Sequence, residues 1–106
     1  MRIVIPHTKN ADDVKGVIDK GFDDIFKGLP VGPVELTDEV RTWVENTLNF
    51  SFNAKTPFLT VPVKGWILVE PAQVTIEVEL PAFLKNFIPE EKISTAVESG
   101  VKGLLT

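Results

Sequence analysis

The strongest constraint on this chain is an alternation of apolar and polar residues over 63–81, "VKGWILVEPAQVTIEVELP", with one lapse at Trp66 and Leu68. Apolar side chains at every second position have the period of a strand with one buried face. The "EPAQ" segment, 70–73, turns the chain and pairs Val69 with Val74 and Ile67 with Ile76. A second alternating run, "VRTWVENTLNFSFNA" over 40–54, turns at Glu45-Asn46. That turn pairs Trp43 with Leu48 and places both beside Phe50 and Phe52 on one face. Between the two runs, a loop over 55–58, "KTPF", pairs Ala54 with Leu59, Phe52 with Val61 and Phe50 with Val63. All three registers bury the same set, whereas a one-residue slip in any strand would invert its faces.

Helical periods flank these strands. "RIVIP", 2–6, reads as a short strand with Ile3 and Ile5 on one face. Asn10 is placed to cap one helix running to Leu29, with Val14, Val17, Ile18, Phe22, Ile25, Phe26 and Leu29 as its apolar stripe. Lys15–Asp19, Lys20–Asp24 and Asp23–Lys27 are spaced as i,i+4 pairs on its wet side. Residues 30–39 read as a loop. Pro89 opens a closing helix with Ile93, Val97, Val101, Leu104 and Leu105 on its inner side. One-sided helices and a one-sided sheet hide their apolar faces only against each other. The expectation is an α+β fold over residues 1–106 as one domain: a single curved antiparallel sheet with two helices on one face. The order is β-α-β-β-β-β-α, a helix-grip-like arrangement.

The residues that carry chemistry are few. The 106 residues include one histidine and no cysteine, which leaves neither a disulfide nor a transition-metal ligand set. His7, beside the strand-ending Pro6, reads as a hydrogen-bonded strand-end residue. Asp12/Asp13, Asp23/Asp24, Asp38/Glu39 and Glu90/Glu91 are neighbours in sequence, so their side chains diverge and do not form dyads. Ser51, Ser94 and Ser99 have no base at a recognisable spacing. No catalytic residue, metal or cofactor is expected, and an enzyme is the least favoured class. A net charge of −4 repels polyanions, which disfavours nucleic acid and anionic lipid as partners. No apolar run is long enough to serve as a signal peptide or a transmembrane segment.

The strand and turn residues resemble a known family. "WVENTLNFSF" is similar to the Trp-x-x-Asn-Thr-Leu-x-Phe hairpin of the small polyhydroxyalkanoic acid system proteins. "VKGWILVEPAQVTIEVELP" resembles that family's Lys-Gly-x-Ile-x-Val-x-Pro segment and the valine-rich strand after it. "IVIPH" and "FLKNFIPEEKISTAVESGVKGLL" are similar to its opening and its closing helix. The chain departs from the family at Trp66 and Leu68, where polar residues are expected, and in its longer "AKTPFLTVP" stretch. The resemblance implies a role in polyester storage, in the cytoplasm and at the granule, and brings no catalytic residues with it.

Two surface features remain. Trp66 and Leu68 fall on the outward parity, facing Glu77 and Thr75, with Val40 and Val44 outward on the neighbouring hairpin. They form a patch for a protein partner or a second copy in a homodimer, unless Trp66 merely lies over neighbouring aliphatic stems. Phe83, Leu84, Phe87 and Ile88 around Lys85 either seal the open end of the core or form an apolar lip that touches a polyester granule surface. The expected function is a non-catalytic accessory or regulatory protein of polyhydroxyalkanoate metabolism that binds a protein partner or the granule. The alternative is a carrier holding a small apolar ligand between sheet and helix.

Overall fold

A computed structural model of the chain describes residues 1–30 and 32–106. Val31, within the loop expected over 30–39, lies outside the described residues. The elements run β1 (Arg2–Pro6), α1 (Ala11–Lys20), α2 (Phe22–Lys27), β2 (Glu35–Val44), β3 (Thr47–Lys55), β4 (Thr60–Val69), β5 (Gln73–Glu79), a 3₁₀ turn (Ala82–Asn86) and α3 (Glu90–Leu105). The five strands form one open antiparallel sheet in the order β1-β5-β4-β3-β2. Alternate strand residues (Ile3 and Ile5, Leu48 to Ala54, Val61 to Val69, Val74 to Val78) face a core closed by Val14, Ile18, Phe22, Ile25, Phe26, Ile93, Val97 and Val101 from the helices. The α+β layout read from the alternation is the one observed.

Two hairpin registers match the sequence reading: Trp43 pairs with Leu48, and Val69 with Val74. The middle one does not. Ala54 pairs with Val61, Phe52 with Val63 and Phe50 with Gly65, two residues away from the expected partners. The turn has the expected four residues but is centred one position later, over Thr56–Leu59, with Pro57 at its second position, where its fixed φ suits a type I turn. The Thr56 hydroxyl accepts from Phe58 N and Leu59 N, and Thr56 N donates to Leu59 O at 2.9 Å. A shift of two keeps the parity, so the buried set is unchanged.

The first helix is two helices rather than one. Gly21 ends α1 and begins α2, and a β-carbon there would overlap Leu104 Cδ2 of α3. A β-carbon at Gly100 would sit 2.7 Å from Ile25 O, so α3 lies against the α2 backbone. Of the expected i,i+4 pairs, Lys15 and Asp19 are turned instead to β2 and its hairpin turn, and Lys27 meets Asp24 at 3.4 Å. β2 also begins five residues earlier than the alternation implied, at Glu35. A bulge between Thr37 and Val40 interrupts it, with Asp38 at φ 53° and its carboxylate accepting from Asn53 Nδ2 at 3.0 Å. The bulge breaks the period of two that would have marked the longer strand.

Gly65 is the one inward position of β4 without a side chain. A β-carbon there would overlap the Glu77 carbonyl oxygen and lie 3.1 Å from Phe50 Cζ. Gly65→Ala is therefore expected to lower stability by about 2–3 kcal/mol in urea unfolding. Gly16→Ala, mid-helix with nothing within 4 Å, should raise it by about 1 kcal/mol.

Candidate functional site

Three places in the fold bear on function: the β2 edge facing α1, the outer face of the sheet, and the end closed by the 3₁₀ turn.

At the β2 edge the inward positions after the bulge are Glu39, Arg41 and Trp43, of which only the tryptophan is apolar. Trp43 Nε1 donates to Asp19 Oδ1 at 3.0 Å, and Arg41 Nη1 donates to Asp19 O at 2.7 Å. Lys15 sits over the Trp43 ring at 5.1 Å and donates to Glu45 O at 2.8 Å. Glu45 takes φ 55° in the hairpin turn, and that lysine helps to hold it. Trp43 and the Glu45 carbonyl thus tie the hairpin to α1. Arg41 also lies 5.0 Å over Phe22, roofing the aromatic core.

Glu39 lies 3.0 Å from Arg41 Nε, yet its Oε1 is buried and finds no aligned hydrogen bond. Burial first, and then the nearby Asp23 carboxylate, push its pKa above the ordinary 4.5, against the pull of Arg41. Glu77 goes the other way, held low by its hydrogen bond to Arg2 at 2.7 Å.

On the outer face, Trp66 lies opposite Asn49 and Glu77, and Leu68 opposite Thr47 and Thr75. Both are half-buried, and Arg2, fixed by Glu77, stands 5.5 Å over the Trp66 ring. Val40 and Val44 are on the same face and mostly exposed. An open depression of about 400 Å³ beside Trp66 runs between Val40, Thr42, Asn49 and Lys64. The four residues expected as a patch do share one face, although Ser51 and Lys64 separate Val40 from Glu79 across the sheet.

At the far end, the four residues of the expected lip divide. Leu84 and Ile88 point into the core, where they line an apolar cavity of about 20 Å³ with Leu29, Pro30, Ala54 and Thr56. They seal the end, because the 3₁₀ turn folds back over the strand ends: Leu84 N donates to Pro81 O and Ile88 N to Leu84 O. Phe83 and Phe87 remain outside, 44% and 71% exposed. The sequence reading overlooked Phe58, at the tip of the Thr56–Leu59 turn and 90% exposed. Its signal was available: Thr-Pro-Phe at a turn centre leaves the phenylalanine outside the alternation that buries Phe50 and Phe52.

His7 has both ring nitrogens engaged. Lys9 N donates to Nδ1 at 3.1 Å, and Nε2 donates to Glu70 O at 2.7 Å, linking the end of β1 to the β4–β5 turn. Among the described residues, no three histidine or acidic side chains cluster as a metal ion would require, and no helix is long and apolar enough to cross a membrane.

The class these features define is a small α+β protein with one open antiparallel sheet, helices on a single face and apolar groups left on its surface. The family model described as "Putative polyhydroxyalkanoic acid system protein" matches residues 1–105, and the chain belongs to that family. The crystal structure of TTHA0849 from Thermus thermophilus is similar in fold. Its TM-score is 0.54 at 16% identity, over 98% of this chain and 92% of that one. No curated protein matches the chain in sequence.

The two perturbed carboxylates titrate with opposite effects. Folding penalises charged Glu39, a cost that is absent below pH 4.5 and grows as pH rises through the raised value. Folding favours charged Glu77, a gain present above pH 4.5 and lost as pH falls through the lowered value. At neutral pH, Glu39→Gln should raise the urea midpoint and Glu77→Gln should lower it, with both differences shrinking in acid.

Proposed function

We propose that this protein is a non-catalytic accessory protein of polyhydroxyalkanoate metabolism that attaches to the polyester granule through Phe58, Phe83 and Phe87. The observation that carries this reading is where the exposed aromatics lie. Four of the seven phenylalanines (Phe22, Phe26, Phe50 and Phe52) pack together in the core. The other three are exposed on two segments, the β3–β4 turn and the 3₁₀ turn, that meet around the small cavity at one end. Large exposed apolar groups gathered at one end of a small protein suit contact with another apolar phase. Family membership supplies the polyester, and the negative net charge argues against an anionic lipid surface.

The carrier reading has less support. A cavity of about 20 Å³ has room for roughly one water, not a ligand. The non-catalytic assignment is supported by His7, whose two nitrogens are occupied in holding a strand end.

The test is co-sedimentation with washed native granules and with protein-free polyester particles. Burying an exposed phenylalanine is worth about 2 kcal/mol, so Phe58→Ser and Phe87→Ser should each weaken partition by about 30-fold. Both variants should keep the wild-type circular dichroism spectrum. A protein that stays in the supernatant with both kinds of particle overturns the proposal.

A further inference from the structure

The outer face of the sheet carries a row of five side chains that crosses every strand. From one edge to the other it reads Val44, Thr47, Leu68, Thr75, Val4, each the registered neighbour of the next. The row holds no charge and is the same read from either edge. Val44 and Val4 stand out at the two edges, 59% and 49% exposed, and Thr75 is nearly covered.

This palindrome has a geometric consequence. A two-fold axis along β4, passing through Leu68 between two facing sheets, maps the row onto itself. Val44 of one copy then lies over Val4 of the other, Thr47 over Thr75, and Leu68 over Leu68. Such self-complementarity is what an isologous interface requires. The next row, Thr42, Asn49, Trp66, Glu77 and Arg2, obeys the same axis. It sets the Asn49 amide over the Glu77 carboxylate, the Thr42 hydroxyl over the Arg2 guanidinium and Trp66 over Trp66, so donors meet acceptors. One row further, Lys64 would meet its own copy. Its ammonium is already paired with Glu79 at 3.3 Å, and the repulsion marks where the two faces part.

We propose that the protein forms a face-to-face homodimer through this outer face, with Leu68 on the two-fold axis. Edge-to-edge pairing is the other common route for an open sheet, and the β2 edge opposes it. The bulge at Asp38 and the inward charges of Glu39 and Arg41 interrupt the template that a second strand would need. Five strands at about 4.8 Å and the two matched rows at about 7 Å give a footprint of roughly 340 Å² a side. The roughly 700 Å² buried in all lies below the range of stable specific interfaces, so the dimer is weak and reversible, with Kd on the order of 0.1–1 mM.

Sedimentation equilibrium up to about 1 mM tests it. Wild-type protein should shift from monomer to dimer, and Leu68→Lys and Leu68→Glu should each remain monomeric with unchanged circular dichroism. Because the axial residue meets itself, mixing these two variants should restore a dimer. The register is read separately by cross-linking: Val44→Cys mixed with Val4→Cys should form a disulfide-linked pair, and Val44→Cys alone should not. A wild-type protein monomeric throughout, a Leu68→Lys variant that still dimerises, or a mixture that stays monomeric overturns the proposal. Phe58→Ser and Phe87→Ser lie away from this face and should dimerise normally, so failure here leaves the granule reading standing, and the reverse.

Discussion

The fold depends on four phenylalanine rings. Phe22 and Phe26 of α2 meet Phe50 and Phe52 of β3 with centroids 4.9–6.0 Å apart, in tilted and edge-on arrangements that suit their quadrupoles. They clamp a six-residue helix that could not persist alone onto the sheet. The rest of the core is arranged around them. Gly65 leaves room for the tip of Phe50, and Gly100 lets α3 lie on the α2 backbone. Arg41 covers Phe22 where the edge strand has no apolar side chain to offer.

A filled interior leaves the remaining apolar groups on the surface. The space between sheet and helices is occupied by aromatic rings. The exposed apolar groups fall in two separate places. Phe58, Phe83 and Phe87 stand on the two turns at the end where the core is sealed, and the Val-Thr-Leu-Thr-Val row crosses the sheet's outer face. The polar β2 edge covers neither of them and turns its charges inward, to Asp19 and the α1–β2 junction. A dimer joined by outer faces would present two phenylalanine ends, and two weak apolar contacts on one object bind far more tightly than one.

How much could be read from the chain differs element by element. Strand parity was legible because one buried face imposes a period of two, and three hairpins had to agree on it. The family resemblance was legible for the same reason, since its marks are turn and core residues, and the match over residues 1–105 agrees with it. The middle register was not legible: four-residue loops over 55–58 and 56–59 preserve the same parity, and only the Thr56 hydroxyl bonds distinguish them. The single first helix was misread because Gly21 costs little by itself, and what demands a glycine at the junction is Leu104, 83 positions along the chain.

The sequence by itself determined which side chains face inward, because alternation and helical spacing are local and a wrong choice inverts a whole element. It also determined the placement of Trp66 and Leu68 outside. Only the tertiary structure decided what lies beside what. Leu84 and Ile88 became core while Phe83 and Phe87 did not, because the helical turn brings residues four apart over the strand ends and leaves the residues just before them outside. The palindromic row exists only once β1 returns to pair with β5, an alignment of Val4 with Thr75 that spans 71 positions. Long-range pairing is set by the packing of the whole, and no local period encodes it.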